Sequence, residues 1–396
     1  MNNGECKEGI SPALDQPSKT FSGAAHTASQ NMSHAPPHID FCTLGMFILD
    51  DIYPAPSHTN QEPNRGVIGG AGTFSALGAR LLSPGALSKS VAWIVDAGTD
   101  FPTATKSELD LWKISLQWRQ RGPKELTTRG WNGYREDGVR EFKYLTPKLR
   151  LTPRDLTPEV LLETRSFHFI CSPNRCVEMV EDLHSLRYQA EKQAALTPRS
   201  TAAASSSKPM IIWEPVPDTC IPGNLPALIS ALARVDVLSP NHNELAALFA
   251  PAVTSTTDPT SPSTAAAEKR TIEDQTHSLL NQACTTNPHL TILVRAGAEG
   301  VYIATRTLTR WLPAYHQDPT KIIDPTGAGN AFLGGFAVGL VRSDKDVVEA
   351  ARWGSVAAGF CCEQVGVPTL SFRNGEERWN GVCVFERLEE FRSRTS

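Results

Sequence analysis

No run of 18 apolar residues occurs in this 396-residue chain, so no bilayer-spanning helix is expected. An excess of positive charge is lacking too. The 38 Lys and Arg stand against 42 Asp and Glu, a net charge of -4, and no basic run is long enough to follow a nucleic-acid backbone. Membrane spanning and nucleic-acid binding are therefore set aside. The nine Cys have no regular spacing. Cys171 with Cys176, and the adjacent Cys361 and Cys362, lack the further partners of a zinc site, so packed free thiols in a reducing compartment, the cytoplasm, are expected. Residues 1–37 are polar and rich in Ser, Pro, His and Asn, without an apolar h-region or a basic amphipathic stripe. They read as a disordered tail, not a targeting segment.

What is present is a pattern that cradles an anion. From Ile323 to Gly339 the chain reads I-D-P-T-G-A-G-N-A-F-L-G-G-F-A-V-G. Ile322 and Ile323 are expected to end a strand, which Asp324-Pro325 breaks. Gly327 and Gly329 let the backbone turn tightly and present N–H groups. A helix from near Asn330 then points its positive end at the anion. The segment lacks the Walker spacing, since no Lys follows its glycines, and it lacks the third Gly of a dinucleotide fingerprint.

Other features have a bland account when taken singly. Residues 38–49 form an apolar run that fits a first buried strand, followed by Asp50 and Asp51. Gly69 and Gly70 open a helix-like segment containing Phe74. Phe167–Ile170 and Met210–Trp213 read as core strands, the second closed by Glu214, an acid where α/β sheets place their sites. Asn241 and Glu244 have the spacing of a helix cap with an acid in its first turn. The Leu290–Val294 strand turns through Arg295, Gly297 and Gly300 into a second strand. Charged and aromatic residues around 100–150, including Trp112, Trp118 and Trp131, read as a protruding lid, and low-complexity insertions fall around 197–208 and 253–267.

In order along the chain, these features resemble the PfkB/ribokinase family of carbohydrate kinases, and most of all its fungal maintenance-of-killer branch. Asp324 to Asn330 resembles the family signature D-T-x-G-A-G-D; the other matches are Gly45 with Asp50, Gly69-Gly70, Asn241 with Glu244, and Gly297 with Gly300. The resemblance covers about residues 39–367, within a kinase-like domain taken as 38–385. It implies an α/β fold, a mostly parallel sheet with helices on both faces and a small lid, and ATP- and Mg²⁺-dependent phosphorylation of a hydroxyl on a small sugar, polyol or nucleoside.

Carried over residue by residue, it implies that Gly327, Ala328 and Gly329 hold the phosphoryl group. Asp50, Gly69 and Gly70 would hold the acceptor. Asn241, Arg295, Gly297, Gly300, Thr326 and Ser355 would lie on the nucleotide side, with Glu244 organising metal-bound water and Asp324 either capping its turn or assisting the metal. Pairing of two copies through the lid is also implied. Three positions depart from the family pattern. Asn330 replaces the catalytic Asp and, being an amide, cannot accept the hydroxyl proton as a base. Phe74 stands where a sugar-contacting Asn is usual, and Arg295 where a small polar residue is usual. Asn330 and Phe74 favour the alternative reading of a catalytically impaired pseudokinase that binds a nucleotide or a protein.

Overall fold

The computed structural model describes residues 38–54, 62–134, 140–196, 208–250 and 265–396. The expected tail at 1–37, and most of the insertions at 197–208 and 253–267, lie outside the described residues. Among the described residues, nine strands form a central sheet. Their spatial order is Thr309–Leu312, Val301–Ala304, Thr291–Arg295, Val237–Leu238, Met210–Pro215, Ser166–Cys171, Phe41–Thr43, Val91–Ala97 and Ser115–Gln120. Pairing is parallel from Thr291–Arg295 to Ser115–Gln120, and a hairpin adds the two antiparallel strands at the other edge.

The inner strands of this sheet are buried on both faces, which is why segments such as Val91–Val95 and Met210–Trp213 read as apolar runs, whereas the edge strands Ser115–Gln120 and Thr309–Leu312 carry polar residues. Alternate residues enter two cores. Phe41, Trp93, Val95, Ile212 and Leu293 pack on one face with the helices Ala71–Leu81, Ala328–Arg342 and Val347–Cys362. Cys42, Ile94, Ile211, Trp213 and Ile292 pack on the other with Pro173–Ala195, Leu225–Leu232 and Ala265–Ala283. No described helix is long and apolar enough to cross a membrane.

The run at 38–49 is not one strand. Phe41–Thr43 ends inside the central sheet, and Ile48–Tyr53 begins a separate sheet that takes in Asp50 and Asp51. The break falls at Gly45, where a Cβ would stand 2.6 Å from the α-carbon of Gly72; the chain turns there because two backbones touch. The second sheet, the lid, has the order Asn64–Gly69, Ile48–Tyr53, Arg129–Tyr134, Arg140–Tyr144. Among the described residues of the region around 100–150, only the last two of these strands belong to the lid. Ser115–Gln120 is an edge of the central sheet, and Trp112 is core, 1% exposed.

The strand expected at Ile322 and Ile323 does not form. Both residues lie in a loop, 37% and 62% exposed. The N–H groups of Ile323 and Asp324 both donate to the Cys362 carbonyl, so the end of the Val347–Cys362 helix, not a neighbouring strand, holds this segment.

Candidate active site

The central strands deliver their carboxyl ends to one cleft of about 1720 Å³, the usual place for a ligand in an open α/β sheet. Cys171 and Ser172, Glu214 and Pro215, Asn241 and Arg295 reach it from successive strand ends. Gly327, Ala328, Gly329 and Asn330 enter it as the first turn of the Ala328–Arg342 helix. Asp50, Gly70, Phe74, Glu244, Gly297, Gly300, Thr326 and Ser355 line it as well. Of the residues singled out from sequence, Gly69 and Asp324 are absent from its lining.

The anion turn is built locally. Asp324 is buried, and its Oδ1 accepts from the Thr326 N–H at 2.9 Å. Ala328 N–H donates to the Pro325 carbonyl, and Gly327 takes the left-handed region at φ 79°, which glycine adopts without steric cost. The Phe74 ring covers the Gly327 α-carbon; a Cβ there would fall 2.2 Å from the ring. Phe74, 3% exposed, thus packs as the wall behind the turn. The helix starts at Ala328, two residues before the expected place, because Gly327 already serves as its cap.

On the lid side, Asp50 lies in the strand between Asn64–Gly69 and Arg129–Tyr134. A Cβ at Gly69 would fall 2.0 Å from its Oδ2, and one at Gly130 would fall 2.6 Å from its Oδ1. Gly69 therefore leaves room for the Asp50 carboxylate at the lid end of the cleft. Asn132 also lines the cleft, 3% exposed, and its Nδ2 has no hydrogen-bond partner among the described residues. Sequence reasoning missed Asn132 and Gly130; both are brought to Asp50 by pairing between strands some 80 residues apart.

The opposite side of the cleft centres on Glu214, which sequence reading noticed only as an acid at a strand end. Its Oε1 pairs with Arg295 Nη1 at 2.8 Å; its Oε2 accepts from Asn330 Nδ2 at 2.6 Å and lies 3.3 Å from His168 Nε2. Burial alone would push Glu214 up, but Arg295, with His168 beside it, holds its carboxyl below the usual range. An ionised carboxylate only accepts, so it fixes the Asn330 amide with Nδ2 inward and leaves Oδ1 as the remaining acceptor. His168, fully buried, also bonds Thr43 Oγ1 through Nδ1. A single His in an apolar strand gave no sequence signal for this role.

Asn241 and Glu244 form the expected capping box: Glu244 N–H donates to Asn241 Oδ1, and Asn241 N–H donates to Glu244 Oε2, each at 2.8 Å. Glu244 Oε2 also faces Arg295 Nη2 at 3.6 Å. Burial pushes the Glu244 carboxyl up to about 7, against the pull of Arg295 and with the repulsion of Glu214. Arg295 pulls both carboxyls down; at Glu214, which it touches at 2.8 Å, that pull prevails over burial, and at Glu244, 3.6 Å away, it does not.

These side chains do not fit a magnesium ion held by carboxylates of this chain. Glu214 and Glu244 already share a guanidinium, and Asp324 is turned to the backbone outside the cleft lining. Magnesium takes hard oxygen ligands free to face it.

The Glu244 pKa has a checkable consequence. A carboxyl with a folded value of about 7 and an ordinary value of 4.5 binds its proton more tightly when folded. Its contribution to stability is thus fully present below about pH 4.5 and is lost as pH rises through 7. Thermal melts of wild type and Glu244→Gln between pH 5 and 8 are expected to show the wild type losing ground by up to about 3 kcal/mol. A difference that does not change with pH would refute the assignment.

The match to known proteins runs through these elements. A family model described as pfkB family carbohydrate kinase matches residues 49–371. The chain belongs to the pfkB family of carbohydrate kinases. It is 35% identical over 369 residues to Protein MAK32 of Saccharomyces cerevisiae, covering 89% of this chain and 92% of that protein. Among solved structures, the ribokinase of Giardia lamblia superposes with a TM-score of 0.59 at 19% identity, covering 88% of this chain and 98% of the other. A putative ribokinase II from E. coli, solved in complex with ATP and Mg²⁺, gives 0.55 at 16% identity, with coverages of 89% and 99%. These structural matches establish a ribokinase-like α/β fold.

Proposed function

We propose that the chain transfers the terminal phosphoryl group of ATP to a hydroxyl of a small sugar, polyol or nucleoside. One observation carries the reading: the glycine turn at a helix N-terminus and the lid carboxylate of Asp50 open into the same cleft. Gly327, Ala328 and Gly329 hold the phosphoryl group at the helix end. Asp50 and the Asn132 amide hold the acceptor, and Gly297, Gly300, Thr326 and Ser355 face the rest of the nucleotide. Magnesium enters as the counter-ion of the nucleotide phosphates, not through carboxylates of this chain. Membership of a carbohydrate kinase family supports this assignment.

Asn330 sets the rate. It orients the acceptor hydroxyl through Oδ1 but takes no proton, which costs a factor on the order of 10² to 10⁴ against a chain with a base there. Phosphoryl transfer leans chiefly on positioning and charge, so turnover persists at a low level.

The test is ATP consumption with Mg²⁺ across sugars, polyols and nucleosides, comparing wild type with variants at 330 and 214. Asn330→Asp alone puts a second carboxylate beside Glu214, where Asn330 now bonds at 2.6 Å. One of the two would then hold a proton at neutral pH. The double variant Asn330→Asp, Glu214→Gln frees the new base and is expected to exceed both wild type and the single variant. A second reading rests on the same Asn330: ATP binding seen by calorimetry, without turnover in any form, would make the chain a nucleotide-binding pseudokinase.

A further inference from the structure

We infer that Arg295 supplies the cation at the terminal phosphoryl group of the nucleotide, so that this chain distinguishes a triphosphate from a diphosphate without a divalent ion held by its own carboxylates. The inference rests on the nucleotide reading above and concerns what this chain does at that site.

Arg295 ends the Thr291–Arg295 strand, at the lip of the sheet. Its backbone is fixed by donation from its N–H to the Pro240 carbonyl and by a parallel bridge to Asn241. Its side chain, 11% exposed, lines the cleft. Nη1 lies directly against Gly329: a Cβ at that position would stand 2.3 Å from it. The guanidinium therefore occupies the ground beside the first turn of the Ala328–Arg342 helix, and it reaches there because residue 329 has no side chain.

Left to itself, this is a poor place for a cation. A helix N-terminus carries partial positive charge and repels it. Two acids offset that repulsion, Glu214 at 2.8 Å and the more distant Glu244 at 3.6 Å, while Ser239 accepts from Nη2 at 2.9 Å. Nε, although buried, has no acceptor among the described residues. The guanidinium is thus oriented by the protein on two of its nitrogens and still holds donor capacity. An anion entering the turn meets helix N–H groups and a guanidinium together. The planar fork of Arg suits phosphate oxygens better than a point charge would.

The same arrangement explains why the acids do not fit a metal. A guanidinium between Glu214 and Glu244 neutralises the negative charge that would draw a divalent ion to them. The charge placed near the phosphates is then built into the chain.

A purely structural ion pair would leave no trace in the ratio of ATP to ADP affinity, and that ratio is the test. Calorimetric titrations of the full chain with ATP and with ADP, each in EDTA and in Mg²⁺, are made for wild type, Arg295→Lys and Arg295→Ser. In EDTA the wild type is expected to bind ATP about tenfold more tightly than ADP. Arg295→Lys keeps part of this preference, and Arg295→Ser loses it. Because Arg295→Ser strands the buried Glu214, a double variant with Glu214→Gln serves as the folded control and is expected to lose the preference as well. Equal ATP and ADP affinity in wild type in EDTA, or a preference that survives in both Ser variants, overturns the inference and leaves the nucleotide reading standing. Absence of binding to either nucleotide with or without Mg²⁺ overturns the nucleotide reading itself.

Discussion

Gly327→Ala is expected to lower phosphoryl transfer by about 10²-fold or more, with a smaller effect on thermal stability. Residue 327 sits at φ 79°, where an L side chain is strained, and its Cβ would lie 2.2 Å from the Phe74 ring. Phe74 is held in the core with little freedom to withdraw. The backbone must shift instead, and the N–H groups that follow move with it. Stabilisation of a developing charge depends on donors fixed within a few tenths of an ångström, so the displacement acts on rate before it acts on folding. Single-turnover kinetics beside a thermal melt separate the two. Unchanged kinetics would mean that the turn does not hold the reacting group.

Glu214→Ala is expected to produce the largest loss of stability, about 3 to 5 kcal/mol. The variant leaves Arg295 buried without its nearest acid and removes the acceptor for Asn330 Nδ2 and the partner of His168. Glu214→Gln should cost less, since an amide oxygen still accepts from Asn330. Urea unfolding of the two variants measures the difference. If both cost the same small amount, Glu214 is not the centre of the network described above.

The expected fold class came from the family resemblance, and strand composition agrees with it: Met210–Trp213 is apolar throughout, as a strand covered on both sheet faces should be. Helix ends were also legible. Asn241 with Glu244 caps its helix as the spacing predicts, since a capping box closes within four residues. The Ile322–Ile323 strand failed because a strand exists only where another chain segment pairs with it. The carbonyl of Cys362 claims that segment first.

The lid was half legible for the same reason. Nothing near Ile48 announces that it will pair with residues around 130, and the register Leu49 to Arg129 is settled only when the lid sheet assembles.

By itself, then, the sequence determined the elements whose bonds close locally: the glycine turn from Asp324 to Asn330, the capping box, and the doubly buried strands. It also showed that position 330 is an amide and position 295 an arginine. Tertiary structure alone decided that these two residues meet on one buried carboxylate, Glu214, and that the arginine lies against Gly329. Local sequence fixes backbone bonds over a few residues, whereas the charge balance of a cleft depends on which strand ends the sheet brings side by side.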